Sequence, residues 1–195
     1  MVKQASFQSG VTTVDEPLFK LNNLNSYTQI TSTYSCFQSP PNDTVDSPVT
    51  ESIFLQLDDL QCFEVVHRQY ESKGIIFDNC IAIEPSNPAF PAHSGAIVLM
   101  SSPHSGLLEA TFVNPVNSVR AFVTSSQRLV LSAYDETRQL LSKAILPSGN
   151  LANSDSILVA NTLLSVSADN IHSVRFHAFN GQFTVDDLSF CYSHC

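Results

Sequence analysis

The chain has 195 residues, of which 43% are hydrophobic and 14% are charged, and its formal net charge is −9. This length suits one domain with a sizeable core, and the apolar content excludes disorder throughout the chain. The negative charge disfavours nucleic acid and anionic membranes as partners, because like charges repel and no cluster of Lys or Arg offsets them. The composition therefore indicates a globular domain.

No stretch of the sequence reaches the roughly 18 consecutive apolar residues that span a bilayer, so membrane insertion is not expected. The opening residues, from Met1 to Phe7, also lack the apolar segment of a secretory signal. We therefore expect either that the protein stays inside the cell or that a signal was removed before this start.

The amino-acid composition of the chain changes near residue 51. Residues 1–51 are rich in Ser, Thr, Asn and Gln, and residues 38–48 read as a Pro-containing irregular linker. We interpret 1–51 as a polar N-terminal extension, or as edge strands, and 52–195 as the β-sandwich domain. Asn42, in Asn-Asp-Thr, fits the acceptor pattern for N-glycosylation in a eukaryotic secretory route.

From residue 52 onward, apolar and polar side chains alternate in short runs, which is typical of strands with one buried face. The clearest pair is residues 119–123 and 129–133, separated by a polar turn. The predicted strands are Ile53–Leu57, Cys62–His67, Gly74–Phe77, Cys80–Ile83, Ala96–Met100, Leu107–Val113, Val119–Thr124, Leu129–Tyr134, Leu140–Ile145, Ser156–Ala160, Leu163–Ser167, Val174–Phe179 and Phe183–Phe190.

Turn residues separate these runs, among them Asn114-Pro115 and Asn180-Gly181. Asn-Gly is the dipeptide most typical of a tight type I′ hairpin. Short strands at this spacing, without a helix-length amphipathic segment, predict an all-β fold: an antiparallel two-sheet β-sandwich, or jelly roll. The alternation assigns ten residues to its core: Leu55, Phe77, Ile97, Leu99, Phe112, Val119, Leu131, Val174, Phe176 and Val185.

The five cysteines, Cys36, Cys62, Cys80, Cys191 and Cys195, form an odd set without a Cys-x-x-Cys pair. Their spacing does not match that of a zinc site. Two interpretations stay open. Either Cys62 and Cys80 are buried as ordinary core residues, or one or two disulfides form and leave a cysteine over, which implies an oxidising compartment.

Several segments together resemble a known class of domains. These segments are Ser52–Leu60, Tyr70–Phe77, Phe112–Val119, Leu129–Asp135 and Phe183–Phe190. They resemble the jelly-roll modules of secreted bacterial proteins, which include carbohydrate-binding modules and galactose-binding-like domains, over roughly residues 52–192. The resemblance implies about eight strands in two sheets, binding without catalysis, and a location outside the cell or at its surface.

Two pairs of aspartates are candidate metal ligands. Strict alternation would split the four apolar residues of Phe183–Phe190 between two faces, so a β-bulge at Asp186-Asp187 is expected to let all four reach the core. In a jelly roll the first and last strands run side by side, which would bring Asp58 and Asp59 near this pair.

Clustered carboxylates repel one another unless a cation, a proton or water separates them. Calcium accepts such oxygen ligands in irregular geometry, and modules of the class that the chain resembles often hold a structural calcium. We therefore consider calcium as a cofactor at these four aspartates. The alternative is that both pairs face solvent or cap turns.

A second candidate site lies on the strand Val174–Phe179, whose alternation places Arg175, His177 and Phe179 on one face. A cation, an imidazole and an aromatic ring together suit a sugar ligand, and Tyr134 and Arg120 are candidates to join them. The alternative is that Arg175 pairs with an acidic neighbour and Phe179 packs under a loop.

The sequence contains no Gly-x-Ser-x-Gly motif, and its two His-Ser-Gly turns, at His93 and His104, lack a third metal ligand. The leading hypothesis is therefore a non-enzymatic module that binds a polysaccharide, a cell-surface glycan or a surface protein. The alternatives are a structural or adhesive interaction domain without a small-molecule site and, third, a polysaccharide-active enzyme.

Overall fold

The computed structural model describes residues 52–101 and 106–192. Predictions that concern residues 1–51, including Asn42 and Cys36, lie outside the described residues, as do those for His104 and Cys195. None of the described residues forms a helix that is long and apolar enough to cross a membrane.

The described residues form ten β-strands and one turn of 3-10 helix, and they contain no α-helix. The strands are β1 Ser52–Phe54, β2 Val65–Val66, β3 Ile75–Asp78, β4 Cys80–Ile83, β5 Val98–Ser101, β6 Leu107–Ser125, β7 Leu129–Tyr134, β8 Leu140–Leu146, β9 Thr162–His177 and β10 Phe183–Cys191, and the 3-10 turn is Glu71–Lys73.

The strands form two antiparallel sheets that share β6 and β9. Sheet 1 has the order β2-β4-β5-β10-β6-β9, and β1 lies beside the C-terminal part of β10. Sheet 2 has the order β3-β6-β9-β7-β8. The C-terminal part of β6 and the N-terminal part of β9 belong to sheet 1, and their other ends belong to sheet 2. The predicted two-sheet sandwich is confirmed.

β6 and β9 bend where they pass from one sheet to the other. Their pairing shifts register between Thr111 and Ser118, around Pro115, which has no N–H to donate to a neighbouring strand. In β9, Asn170 has a left-handed φ of 60°, a conformation that Asn tolerates better than most residues. The sequence predicted a break at each of these points. Both breaks are instead bends within a continuous strand, because pairing resumes on either side.

The core lies between the two sheets, and all ten residues that the alternation assigned to it are buried. Aromatic rings connect the layers across this core. Phe112 of sheet 2 packs against Phe190 of sheet 1 with ring centroids 5.1 Å apart. Phe176 of sheet 2 meets Phe183 of sheet 1 at 6.5 Å. Such ring pairs stabilise a core beyond the area that they bury.

The predicted bulge in β10 is confirmed. The pairing of β10 with β6 shifts register between Asp186 and Ser189, and Asp187 has a φ of 44°. The four apolar side chains of the strand are each no more than 1% exposed: Phe183, Val185, Leu188 and Phe190.

Two local predictions are wrong. Residues Ser156–Ala160 form a loop instead of a strand, in which the side-chain amide of the buried Asn150 donates to the Val159 carbonyl. Asn180-Gly181 does not close a hairpin, because β9 ends in sheet 2 and β10 begins in sheet 1. A type I′ turn needs a positive φ at both central residues, and only Asn180 has one.

The three described cysteines, Cys62, Cys80 and Cys191, are free thiols. Cys80 is buried as predicted, and burial raises the pKa of its thiol. The prediction of a buried Cys62 is wrong. Cys62 is exposed, since it lies in the turn before the edge strand β2, where its sulfur accepts a hydrogen bond from the Glu84 N–H at 3.3 Å.

Phe176 and Phe179 form a matched pair for testing this core. Phe176 is fully buried between the sheets, whereas Phe179 is 76% exposed. Phe176→Ala is expected to lower the free energy of unfolding by about 3–5 kcal/mol, because it leaves a cavity. Phe179→Ala should change it by no more than about 0.5 kcal/mol. Urea unfolding measures both, and similar losses for the two variants would contradict the assigned phase of β9.

Candidate functional site

The residues predicted to bind a ligand on β9 do share one face of sheet 2. Arg175 and His177 face outward, and Phe179, two residues beyond the end of β9, is exposed, whereas Val174 and Phe176 are buried. The alternation read from the sequence is therefore confirmed for this strand.

Arg175 is held by an ion-pair network. Its Nη2 donates to Glu109 Oε2 at 2.9 Å, and Arg138 Nη1 lies 3.1 Å from the other oxygen of the same carboxylate. The Arg175 guanidinium also lies 5.5 Å from the centre of the Tyr134 ring. Glu109 is buried, and burying an unpaired carboxylate costs free energy. The two arginines neutralise that charge. Arg175 thus has the acidic neighbour that the alternative interpretation expected.

Arg120 does not join this group, since it lies on the outer face of sheet 1. Its register neighbours are Ser165 on β9 and Ser189 on β10. Arg120 and Arg175 therefore lie on different sheets, although both follow a Ser-Val pair in the sequence. The structure brings Arg175 and Tyr134 together and places Arg120 in another surface feature.

That feature is a groove of about 500 Å³ on the outer face of sheet 1. We call it the sheet 1 groove. Its lining residues are Ser52, Phe54, Leu55, Gln56, Ser94, Ser118, Arg120, Phe122, Leu163, Asp187, Ser189 and Cys191. Most of them are the outward-facing partners of core residues, so the same alternation that builds the core also builds the groove.

Side-chain size shapes the groove. Ser118 and Ser189 are short, and they flank Arg120 in the central strands of the sheet. Larger apolar side chains line the groove farther out, among them Phe54, which is 66% exposed, and Leu163, which is 47% exposed. Small-molecule sites combine apolar and aromatic side chains with a few polar groups that orient the ligand, and the groove contains both kinds.

His93 extends the aromatic part of this region. Its imidazole stacks on the ring of Phe122, with centroids 3.6 Å apart and planes within 10°. Its Nδ1 lies 2.6 Å from an oxygen of Asp187. The sequence identifies His93 only as part of a His-Ser-Gly turn, because nothing local to it indicates which strand the turn will cover.

The acidic residues form a second feature beside the groove. β1 and β10 are neighbours, as expected of the first and last strands, and a cavity of about 70 Å³ is lined by Asp58, Asp186 and Asp187 together with Ser94. The predicted approach of the two aspartate pairs is confirmed for these three residues. Asp59 is exposed in the same turn and does not line the cavity.

The carboxylates of β10 hold the loop that carries His93. Asp186 Oδ2 accepts hydrogen bonds from the N–H groups of His93 at 2.7 Å and Ser94 at 3.1 Å, and its other oxygen accepts one from the Asp187 N–H at 2.7 Å. Asp187 accepts a hydrogen bond from the Ser94 hydroxyl at 2.5 Å. The bulge therefore connects the last strand to this loop.

Asp58 holds the other end of the loop. Its Oδ1 accepts hydrogen bonds from the N–H groups of Ala96 at 2.9 Å and Ile97 at 3.3 Å. Gly95 has a φ of +58°, and a Cβ on it would overlap the Asp58 carboxylate. This position therefore requires glycine for both its backbone conformation and its space.

Burial and negative charge shift the acid–base behaviour of this corner. Burial raises the pKa of Asp186; the N–H groups that it binds oppose the shift, and the charge of Asp187 adds to it. Burial, reinforced by nearby acidic groups that include Asp59 and Asp58, raises the pKa of Tyr70 to about 12. The ionised form of Asp186 is therefore disfavoured by its surroundings.

The donor chemistry of the cavity suits calcium, which binds six to eight oxygen atoms in irregular arrangements. Within residues 52–101 and 106–192, however, no three Asp, Glu, His or Cys side chains are grouped as metal ligands. A calcium ion here would therefore need main-chain or water oxygens in addition to carboxylates. Leu55, Gln56 and Leu57 also line the cavity.

No protein-family model and no curated protein matches this chain. Similar solved structures include a DUF4465 family protein from Bacteroides caccae, at 10% identity over 72% of this chain and 98% of that chain, with a TM-score of 0.44. The carbohydrate-binding module TmCBM61, in complex with beta-1,4-galactotriose, is similar at 11% identity over 64% of this chain and 94% of that chain, with a TM-score of 0.36.

The CBM22-1–GH10 modules of a Clostridium thermocellum xylanase, complexed with xylohexaose, are similar at 11% identity over 77% of this chain and 29% of that chain, with a TM-score of 0.35. Carbohydrate-binding modules are thus among the solved structures that are similar to this chain.

The raised pKa of Asp186 predicts a pH dependence of stability. A raised pKa means that the folded protein holds this proton more tightly than the unfolded chain does. The resulting stabilisation is fully present below the ordinary pKa, near 3.9, and is lost as pH rises through the raised value. Urea unfolding with a chelator present should therefore show a stability that falls less steeply from acid to neutral pH in Asp186→Asn than in the unaltered protein. Parallel pH profiles would contradict the shift.

Proposed function

We propose that this domain is a non-enzymatic binding module that takes a polysaccharide or cell-surface glycan into the sheet 1 groove. The observation that carries the proposal is the composition of that groove. Exposed apolar side chains, Phe54 and Leu163, border a polar centre with the Arg120 guanidinium and several serine hydroxyls. Sugars present apolar ring faces and a periphery of hydroxyl groups, so a site of this kind is complementary to them.

A role in binding fits the carboxylates beside the groove better than a role in catalysis. Asp186 accepts three main-chain hydrogen bonds, and Asp187 accepts one from Ser94 and contacts His93. These interactions hold a loop in position. With a glycan as the ligand, the proposed place of action is outside the cell or at its surface.

Phe54 and Phe179 separate the two candidate faces experimentally. Both are exposed phenylalanines, at 66% and 76%. Phe54 lines the sheet 1 groove, whereas Phe179 lies two residues beyond the end of β9, the strand that carries Arg175. Phe54→Ala should weaken binding to a captured polysaccharide by about tenfold, equivalent to about 1.4 kcal/mol. Phe179→Ala should leave it unchanged. Affinity electrophoresis in polysaccharide gels measures both, and the reverse ranking would move the site to sheet 2.

We also propose that the cavity at Asp58, Asp186 and Asp187 binds a structural calcium ion. Three carboxylates line it, and burial disfavours the charge on Asp186, so a cation would relieve both repulsion and desolvation. Such an ion would stabilise the loop at residues 93–97, which places His93 on the Phe122 ring and Ser94 in the groove.

Calcium binding should raise the melting temperature of chelator-treated protein, because a ligand that binds only the folded state stabilises it by mass action. Asp186→Ala should abolish this response. Asp155→Ala, which removes an exposed carboxylate elsewhere, should preserve it. Calorimetric scans that coincide with and without calcium would show that these aspartates act only as hydrogen-bond acceptors for the loop.

A further inference from the structure

We infer that the sheet 1 groove selects a glycan that carries carboxylate groups, namely a chain containing hexuronic acid, and that Arg120 reads the carboxylate. The inference rests on the proposed function and concerns its ligand class. It starts from the contrast between Arg120 and three other arginines that the described residues contain.

Those three arginines are paired with carboxylates. Arg68 lies 2.8 Å from Glu71, and Arg138 and Arg175 lie 3.1 and 2.9 Å from Glu109. Within residues 52–101 and 106–192, Arg120 has no such ion pair, although it lies on β6, between β10 and β9 of sheet 1. Its neighbours across the strands are serines, which provide hydroxyls but no charge.

The surroundings leave room for a ligand at this guanidinium. Arg120 is exposed and lines the groove together with the short residues Ser118 and Ser189. A guanidinium offers a planar fork of N–H donors that matches the two oxygens of a carboxylate. A hexuronate bound there would place its carboxylate on Arg120 and its hydroxyls near the serines, while its apolar ring face would meet the larger side chains of the groove.

The remaining charges are compatible with this assignment. Asp187 also lines the groove, but its carboxylate is engaged by Ser94 and the His93 ring. The net charge of −9 repels an anionic glycan at long range, and salt screens that repulsion beyond about 8–10 Å. Recognition of the glycan's carboxylate must therefore come from the Arg120 guanidinium. Replacing that group should remove the preference for the acidic glycan over its neutral form.

The test measures affinity by isothermal titration with oligosaccharides of galacturonate, glucuronate and mannuronate, each beside its carboxyl-reduced, neutral counterpart. At least one acidic oligosaccharide should bind about tenfold or more tightly than its reduced form. Arg120→Gln should abolish that difference, so that the variant binds the acidic oligosaccharide and its reduced form with equal affinity. Arg120→Lys, which keeps the charge and loses the fork, should retain part of it.

Arg128→Gln is the matched control, because Arg128 is an exposed arginine outside the groove lining, and it should keep the full preference. Equal binding of acidic and reduced forms, a preference that survives Arg120→Gln, or tighter binding of a sulfated oligosaccharide would overturn the inference while the proposed function stands. If neither acidic nor neutral chains bind, both the inference and the proposed function are wrong.

Discussion

One β-bulge, between Asp186 and Ser189 in β10, allows four apolar side chains of a single strand to reach the core. The same shift turns two consecutive carboxylates to the outer side, where they hold the loop at residues 93–97 through its N–H groups and side chains. That loop carries His93 over Phe122 and Ser94 into the groove. A strand with regular alternation would leave two of the four apolar groups in solvent and would lose the loop's anchor. Core packing and the groove therefore depend on one backbone irregularity.

Much of this fold can be predicted from the sequence, because a buried face imposes a period of two on every strand. The ten core positions and the bulge follow from that period, since Phe183, Val185, Leu188 and Phe190 could be reconciled only by an irregularity. The alternation does not predict the direction that the chain takes after a strand. Pro115 and Asn180-Gly181 carry turn chemistry, yet one lies within a bend and the other joins two sheets.

The candidate site is less predictable for the same reason. Arg120 and Arg175 occur in similar Ser-Val-Arg contexts, but only the pairing of their strands shows that they lie on different sheets. Glu109, 66 residues before Arg175 in the chain, neutralises that arginine, whereas Arg120 lines the groove on sheet 1. Asp58 could be placed near β10 because β1 and β10 are neighbours in a jelly roll. The contact of His93 with Phe122 joins a loop to a strand, and no local pattern encodes it.

Arg120 lies in the groove of sheet 1, and Arg175 lies on the outer face of sheet 2. Which of these two surfaces binds the ligand is therefore the central question. Amide chemical-shift mapping during titration with an oligosaccharide answers it without altering any residue. A glycan bound in the sheet 1 groove should shift the amide signals of Phe54, Arg120, Leu163 and Ser189 most, with smaller changes in the loop at residues 93–97. Shifts concentrated at Tyr134, Arg175 and His177 instead, with none in the groove, would contradict this prediction.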